Sequence, residues 1–214
     1  RDEWSADYVV SGYASAPFKD LVGSIFNDHQ PDAVNGVAWR DGELIRSNPD
    51  QQKTFEHIEY WNIPYHLIED YSPYGQLDQN KRIFSMYSAL GCPYQCTFCS
   101  SPAQYRPIAK KKWVPLEANV IVDHVEHVVD RYDANYIYFI DDDSFPKLEH
   151  VEKIIDTIQD RGIKVGLGFR GARINEIKRM SHQYLEKLVD GGTDIMHIGA
   201  ESGSDRILKM LKKN

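Results

Sequence analysis

A parallel α/β sheet covered by helices, open or barrel-like, is the fold predicted for most of this 214-residue chain. Three observations predict it. From residue 81 onward, short β-rich apolar runs alternate with amphipathic helical stretches in about four β-α units. Glycines stand where helices must hand over to strands, at Gly162 and at the pair Gly191-Gly192. Polar residues of unusual chemistry fall at the ends of the four strands, where the loops of such sheets collect functional groups.

The elements follow in order. "ADYVV" reads as a strand, then "APFKDLVGSIF" as a helix with Phe18, Leu21, Val22 and Ile25 at helical spacing. "VNGVAWRDGELIRS" reads as a hairpin with Asp41-Gly42 as its two-residue turn. From Asn48 to Asn80 the chain carries Pro49, Pro64 and Pro73 with little periodicity, a connector draped over a surface. "RIFSMYSAL" is a strand leading into a loop with three cysteines. "PLEANVIVDHVEHVVDRY" is a helix with Leu116, Ile121, Val125, Val128, Val129 and Tyr132 on one stripe. "NYIYFIDDD" is a strand, and "KLEHVEKIIDTIQDRG" a helix closed by Gly162. "KVGLGFRG" is a strand, "HQYLEKLVDGG" a helix and "DIMHIGAE" the fourth strand. "SDRILKMLKKN" opens a last helix with Ser204 as N-cap. The domain boundaries expected are 1–30, 31–80 for hairpin and linker, and 81–214 for the alternating β-α segment. The abrupt ends read as those of a segment of a longer protein.

Composition excludes several classes. At 42% hydrophobic the chain can bury a core. A net charge of −7 argues against a nucleic-acid or anionic-membrane binder, which needs a cationic face. No stretch approaches the roughly 20 apolar residues of a membrane span. An odd number of close-spaced cysteines is a poor disulfide framework, so a reducing cytoplasm is the expected home.

The only cysteines are Cys92, Cys96 and Cys99, spaced C-x3-C-x2-C in "GCPYQCTFC". Three thiolates on one short loop make a three-point chelate for a soft metal centre. Structural zinc usually takes four protein ligands, and His66 or His124 would complete such a set only by a fortunate fold. A [4Fe-4S] cluster on three cysteines leaves one iron open to a small ligand. Zinc and unligated thiols remain alternatives on spacing alone.

The loop resembles the signature of the radical S-adenosylmethionine (radical SAM) superfamily, with Phe98 as the aromatic before the last cysteine. "YFIDDDSFP", "GFRGARI" and "HIGAESGSDRILKMLKK" resemble the second to fourth barrel strands and turns of its cobalamin-binding branch. "ADYVVSGYASAPFKDLVGSIF" is similar to the end of a doubly wound cobalamin-binding domain, with Gly12-Tyr13 where relatives carry Gly-Glu. "GVAWRDGELIRSNP" and "IPYHLIEDYSPY" resemble the bridging segment between the two. The resemblance implies that residues 81–214 are the first part of a partial (β/α) barrel, with about four β-α units present, and that residues 1–30 are the tail of the cobalamin-binding domain. It implies a cluster on Cys92, Cys96 and Cys99 whose open iron binds S-adenosylmethionine, which is cleaved to a 5′-deoxyadenosyl radical.

The resemblance also assigns roles. Phe98 would pack near the adenine, against the alternative of simple packing under the loop. Asp142 or Asp143 would receive the cofactor's amino group, against a solvated acidic turn. Arg170 and Arg173 would hold its carboxylate as a pair, against structural salt bridges. Glu201 and Ser202 would contact the ribose or amino acid. His124 and His127 fall off the apolar stripe and read as an exposed face, and the "KKKW" run from Lys110 to Trp113 as a solvated loop or a domain contact. The implied activity is cobalamin-dependent methyl transfer to a small biosynthetic intermediate, with a reductase or flavodoxin-type electron donor. Cyclisation or rearrangement, methylthiotransferase-like chemistry and a non-catalytic iron–sulfur carrier are the alternatives.

Overall fold

The computed structural model describes residues 6–12, 14–49, 59–71, 73, 80–104 and 113–213. Two compact units emerge: residues 1–57 with 98–112, and residues 58–97 with 113–214. Tyr13 and Lys110 to Lys112, singled out by the sequence, lie outside the described residues.

In the first unit, β1 (Tyr8–Val10) pairs antiparallel with β2 (Val37–Asp41), which pairs antiparallel with β3 (Leu44–Ser47). The hairpin and the first strand therefore share one three-stranded sheet. The hairpin turn is Gly42-Glu43, because Asp41 pairs with Leu44. Gly42 has φ +62°, which a first turn position of the II′ kind requires and glycine supplies without strain. The α1 helix (Ser15–Phe26) buries Leu21, which packs with Val34, Val37, Trp39 and Val10. Phe18 and Ile25 of the expected stripe are exposed, as is Phe26, so a narrow seam and not the whole stripe meets this small core. A four-residue helix, α2 (Ser101–Gln104), follows the last cysteine.

The second unit carries a parallel sheet in the order β4 (Ile83–Met86), β7 (Tyr136–Phe139), β8 (Gly166–Arg173), β9 (Thr193–Gly199). Its connections contain α3 (Ala118–Tyr132), α4 (Leu148–Asp160), and the pair α5 (Ile174–Ile177) and α6 (His182–Asp190); α7 (Asp205–Met210) follows β9. The parallel α/β architecture expected from the alternation is present. The α3 stripe closes on Ile121, Val122, Val125 and Val128, all buried, while Leu116 lies before the helix and packs at the core's margin. The α4 helix contributes Val151, Ile154, Ile155 and Ile158 to the same core. At its end Gly162 takes φ +66°, its N–H reaches Gln159 O at 2.9 Å, and Ile163 N reaches Ile158 O at 3.1 Å. These two bonds satisfy carbonyls the last turn leaves open and turn the chain back toward β8. Ser181 Oγ accepts from Tyr184 N at 3.1 Å and caps α6.

Two expectations shift here. "RIFSMYSAL" is not one strand: it breaks at Tyr87-Ser88, and β5 (Ala89–Gly91) turns away to pair antiparallel with β6 (Trp113–Pro115). The connector is also not merely draped. Tyr65, Ile68 and Tyr71 pack against the main core, Tyr71 stacked on Phe84 at 5.0 Å between centroids.

Candidate functional site

The site begins with the residue that sets where the cysteine loop starts. Asp141 continues the strand alternation of β7 past Phe139, so its side chain points inward and is fully buried. Its carboxylate accepts from Ser88 N at 2.7 Å, Ala89 N at 3.2 Å and the Ser88 hydroxyl. These bonds hold the kink where β4 hands over to β5, and β5 leads straight to Cys92. Burial pushes the Asp141 carboxyl up to about 6, with the Ser88, Ala89 and Ser144 hydrogen bonds pulling the other way. His150 Nε2 lies 3.1 Å from Ser88 O. A carbonyl only accepts, so that nitrogen carries the proton, and burial lowers the imidazole's pKa.

The rest of the acidic run alternates outward and inward. Asp142 is exposed and Asp143 buried. Burial and the adjacent Glu176 carboxylate push Asp143 up to about 8, so at neutral pH its carboxyl keeps a proton, shared with Glu176. Of the two candidates for a cationic ligand, Asp142 is the one that presents its carboxylate to solvent. Trp113 Nε1 donates to Asp143 O at 3.0 Å. Trp113 is thus the first residue of β6 and a support of the acidic turn, not the end of a solvated loop.

Gly171 lets β8 approach this turn. It has φ +76°, and a Cβ there would lie 2.8 Å from the carbonyl oxygens of both Asp141 and Asp142. Ser144 N donates to Gly171 O at 2.9 Å and Ser144 Oγ to Arg170 O at 2.8 Å across the same approach. The pairing with β9 is irregular between Phe169 and Ala172, and that irregularity separates the two arginines. Arg170 lies within the strand with its residue exposed, while Arg173 ends the strand and is 7% exposed. The expected placement of both at the strand end holds for Arg173 only.

Arg173 meets the cysteine loop directly. Its Nη1 donates to Cys96 Sγ at 3.3 Å, and its guanidinium carbon sits 3.7 Å from the centre of the Tyr94 ring. Tyr94 OH donates to Glu176 Oε1 at 2.8 Å, and Arg173 N donates to Glu176 Oε2 at 3.0 Å. Glu176 is 1% exposed, and nothing in "GARINEI" marked it. Its signal is an acidic residue at the third position of a short helix, reaching back to the N-cap backbone. Here the N-cap is an arginine and not the serine or threonine that usually announces this arrangement.

The three thiols are free. Burial, with carboxylates at Asp143 and Asp142 nearby, pushes the Cys92 thiol up to about 12, so a metal would have to displace its proton. Cys96 is buried, and Cys99, in the first unit, is exposed with its thiol 3.3 Å from Ser101 Oγ. Phe98 is half exposed. Among the described residues no three His, Cys, Asp or Glu side chains already converge as a metal-ligand set. The donor chemistry nevertheless fits a thiolate-bound iron centre: three thiols, with a guanidinium N–H already on one sulfur. Histidine ligation is not supported. His124 Nε2 is bound to Tyr65 OH at 2.9 Å, and its ring stacks on Tyr60. His127 is tilted against Tyr60, so both histidines are half-buried under aromatic rings and not on an exposed face. His66 is exposed.

At the end of β9, Glu201 takes φ +58° and pairs with Lys213 Nζ at 2.8 Å, and Ser202 Oγ accepts from Ser204 N at 3.1 Å. A cavity of about 460 Å³ opens between α5, α7 and the ends of β8 and β9, lined by Arg173, Lys178, Lys209 and Lys213 beside Asp205. Its cationic lining suits an anionic group. The α7 helix ends against the cysteine loop, where Thr97 N donates to Leu211 O at 3.0 Å.

The family model of the radical SAM superfamily matches residues 86–214. An uncharacterized methyltransferase, PH0819, of Pyrococcus horikoshii is 23% identical over 208 residues, covering 97% of this chain and 43% of that protein. A cytidylyl-2-hydroxyethylphosphonate methyltransferase of Streptomyces wedmorensis is 23% identical over 242 residues, covering 99% and 43%. The radical SAM methyltransferase TsrM of Kitasatospora setae, solved with cobalamin and a [4Fe-4S] cluster bound, superposes with a TM-score of 0.64. It is 15% identical and covers 94% of this chain and 39% of its own. The chain thus spans less than half the length of these relatives and shares the fold of TsrM.

Proposed function

Because the chain belongs to the radical SAM superfamily, we propose that it forms part of a cobalamin-dependent radical SAM methyltransferase. The observation that carries the reading is the C-x3-C-x2-C loop inside the matched region, led out of β5. Two relatives named as methyltransferases match nearly its whole length. When bound, a [4Fe-4S] cluster and S-adenosylmethionine supply the one-electron chemistry, and cobalamin the methyl group.

The chain's own residues have the following work. Cys92, Cys96 and Cys99 hold iron, and Asp141 fixes the start of their loop through Ser88 and Ala89. Asp142, exposed and negative, receives the cofactor's ammonium. Arg173, which lines the cationic cavity, holds the carboxylate through guanidinium N–H donors other than the one on Cys96 Sγ. Arg170, solvent-exposed on the same strand, is the second candidate for that contact. Glu201 and Ser202, at the end of β9, accept the ribose hydroxyls, and Phe98 covers the adenine. Residues 1–30 are the tail of a cobalamin-binding domain, and most cobalamin contacts come from residues outside this chain. The substrate is a small biosynthetic intermediate, the electron donor a flavodoxin-type protein, and the location the cytoplasm. No helix among the described residues is long and apolar enough to cross a membrane.

Anaerobic reconstitution tests this reading. About four irons and four sulfides per chain are expected, with loss of the visible absorbance in Cys96→Ala. Stoichiometric zinc without sulfide, or full iron in the variant, contradicts it.

A further inference from the structure

The Arg173 guanidinium does not reach Cys96 by chance of rotamer; the buried Glu176 and the half-buried Tyr94 hold it there. Glu176 accepts from Arg173 N at 3.0 Å and from Tyr94 OH at 2.8 Å. The guanidinium carbon in turn sits over the Tyr94 ring, 3.7 Å from its centre. With one side on the ring, its Nη1 meets Cys96 Sγ at 3.3 Å. A buried carboxylate without partners is costly. Here Glu176 is supplied by Tyr94, by the Arg173 backbone and by Asp143. The arrangement links α5 to the cysteine loop through side chains alone.

We infer that Glu176 and Tyr94 are positioning residues that hold the Arg173 guanidinium on the Cys96 sulfur, and that this contact raises the reduction potential of the metal centre built on the loop. The inference rests on the iron–sulfur reading of the three cysteines. An N–H donor and a positive charge on a ligand sulfur stabilise the more negative, reduced state of a thiolate-bound cluster. Arginine suits the task because it never loses its proton and stacks on an aromatic face. Lysine keeps the charge but has neither the fork nor the stacking plane.

The experiment is an anaerobic redox titration, followed by electron paramagnetic resonance, of the reconstituted protein and of Arg173→Lys, Arg173→Gln, Glu176→Gln and Tyr94→Phe. Iron and sulfide content are measured in each. With iron content unchanged, Arg173→Gln is expected to lower the midpoint so that the reduced-to-oxidised ratio at a fixed potential falls at least tenfold, about 59 mV for one electron. Arg173→Lys is expected to recover part of that shift. Glu176→Gln and Tyr94→Phe are expected to move it in the same direction by less, because each loosens the guanidinium without removing it. A merely structural role for these residues predicts altered stability or iron content with an unmoved midpoint, and that result overturns the inference. Tyr94→Phe removes a single hydroxyl and keeps the test decisive if the Glu176 variant does not fold. Failure of the wild-type chain to bind iron overturns the cluster reading itself, whereas a loaded cluster with equal midpoints in all variants overturns only the positioning role.

Discussion

Replacing Asp143 by asparagine should make the folded chain less sensitive to alkaline pH, and the size of the effect follows from the site. Asp143 is buried beside Glu176, and its carboxyl is pushed from 3.8 up to about 8. A group whose folded pKa lies above its unfolded value binds more protons in the folded state. Its contribution is fully present below pH 3.8 and is lost as pH rises through about 8. Between those limits each pH unit removes about 1.4 kcal/mol of stability per group. Asp141, pushed up to about 6, adds its own slope at lower pH, so the window that isolates Asp143 is pH 6 to 8. There the wild-type chain should lose at most about 3 kcal/mol through this residue. Asparagine has no proton to lose and offers an N–H to Glu176 in place of the carboxyl O–H, so Asp143→Asn should remove most of that loss. The assay is urea unfolding of both proteins without metal at half-unit steps from pH 5 to pH 8.5. Parallel stability curves above pH 6 would refute the shared-proton reading of the pair.

Asp141→Asn should destabilise the chain by about 1–3 kcal/mol, since Oδ1 can keep the Ser88 and Ala89 N–H groups but an amide nitrogen in place of Oδ2 cannot accept from the Ser88 hydroxyl. Calorimetry measures it, and an unchanged Tm contradicts the loop-anchoring role. Gly171→Ala should cost about 2–4 kcal/mol, from positive φ and from a Cβ forced onto the Asp141 and Asp142 carbonyl oxygens. A variant as stable as wild type would show that β8 does not need this approach. Asp142→Asn should weaken S-adenosylmethionine binding in the loaded protein while leaving iron content intact. Equal affinity in a titration would return Asp142 to a solvated turn.

The alternation of strands and helices was legible because each α4 or α6 stripe must bury one face, and periodicity records that demand directly. The β5–β6 ribbon was not, since three-residue strands carry no period and their partners lie across a long loop. The aspartate run shows the same limit at the site. Its chemistry stood out, but three identical residues have three environments. What separates them is the alternation of β7 continued past its last paired residue, with Phe139, Asp141 and Asp143 inward and Asp142 outward. The cysteine loop was fully visible as a motif. Glu176 was not, because a carboxylate in a polar four-residue helix looks like surface until Tyr94 and Arg173 close over it.

The central claim is that three cysteines hold a cluster with one iron open to S-adenosylmethionine. Its most direct test is the electron paramagnetic resonance spectrum of the reduced, reconstituted protein with and without that cofactor. A change in g-values that saturates with added S-adenosylmethionine is the predicted result. A cluster whose spectrum ignores saturating S-adenosylmethionine would contradict the account, because every role assigned to Asp142, Arg173, Glu201 and Ser202 depends on that open iron.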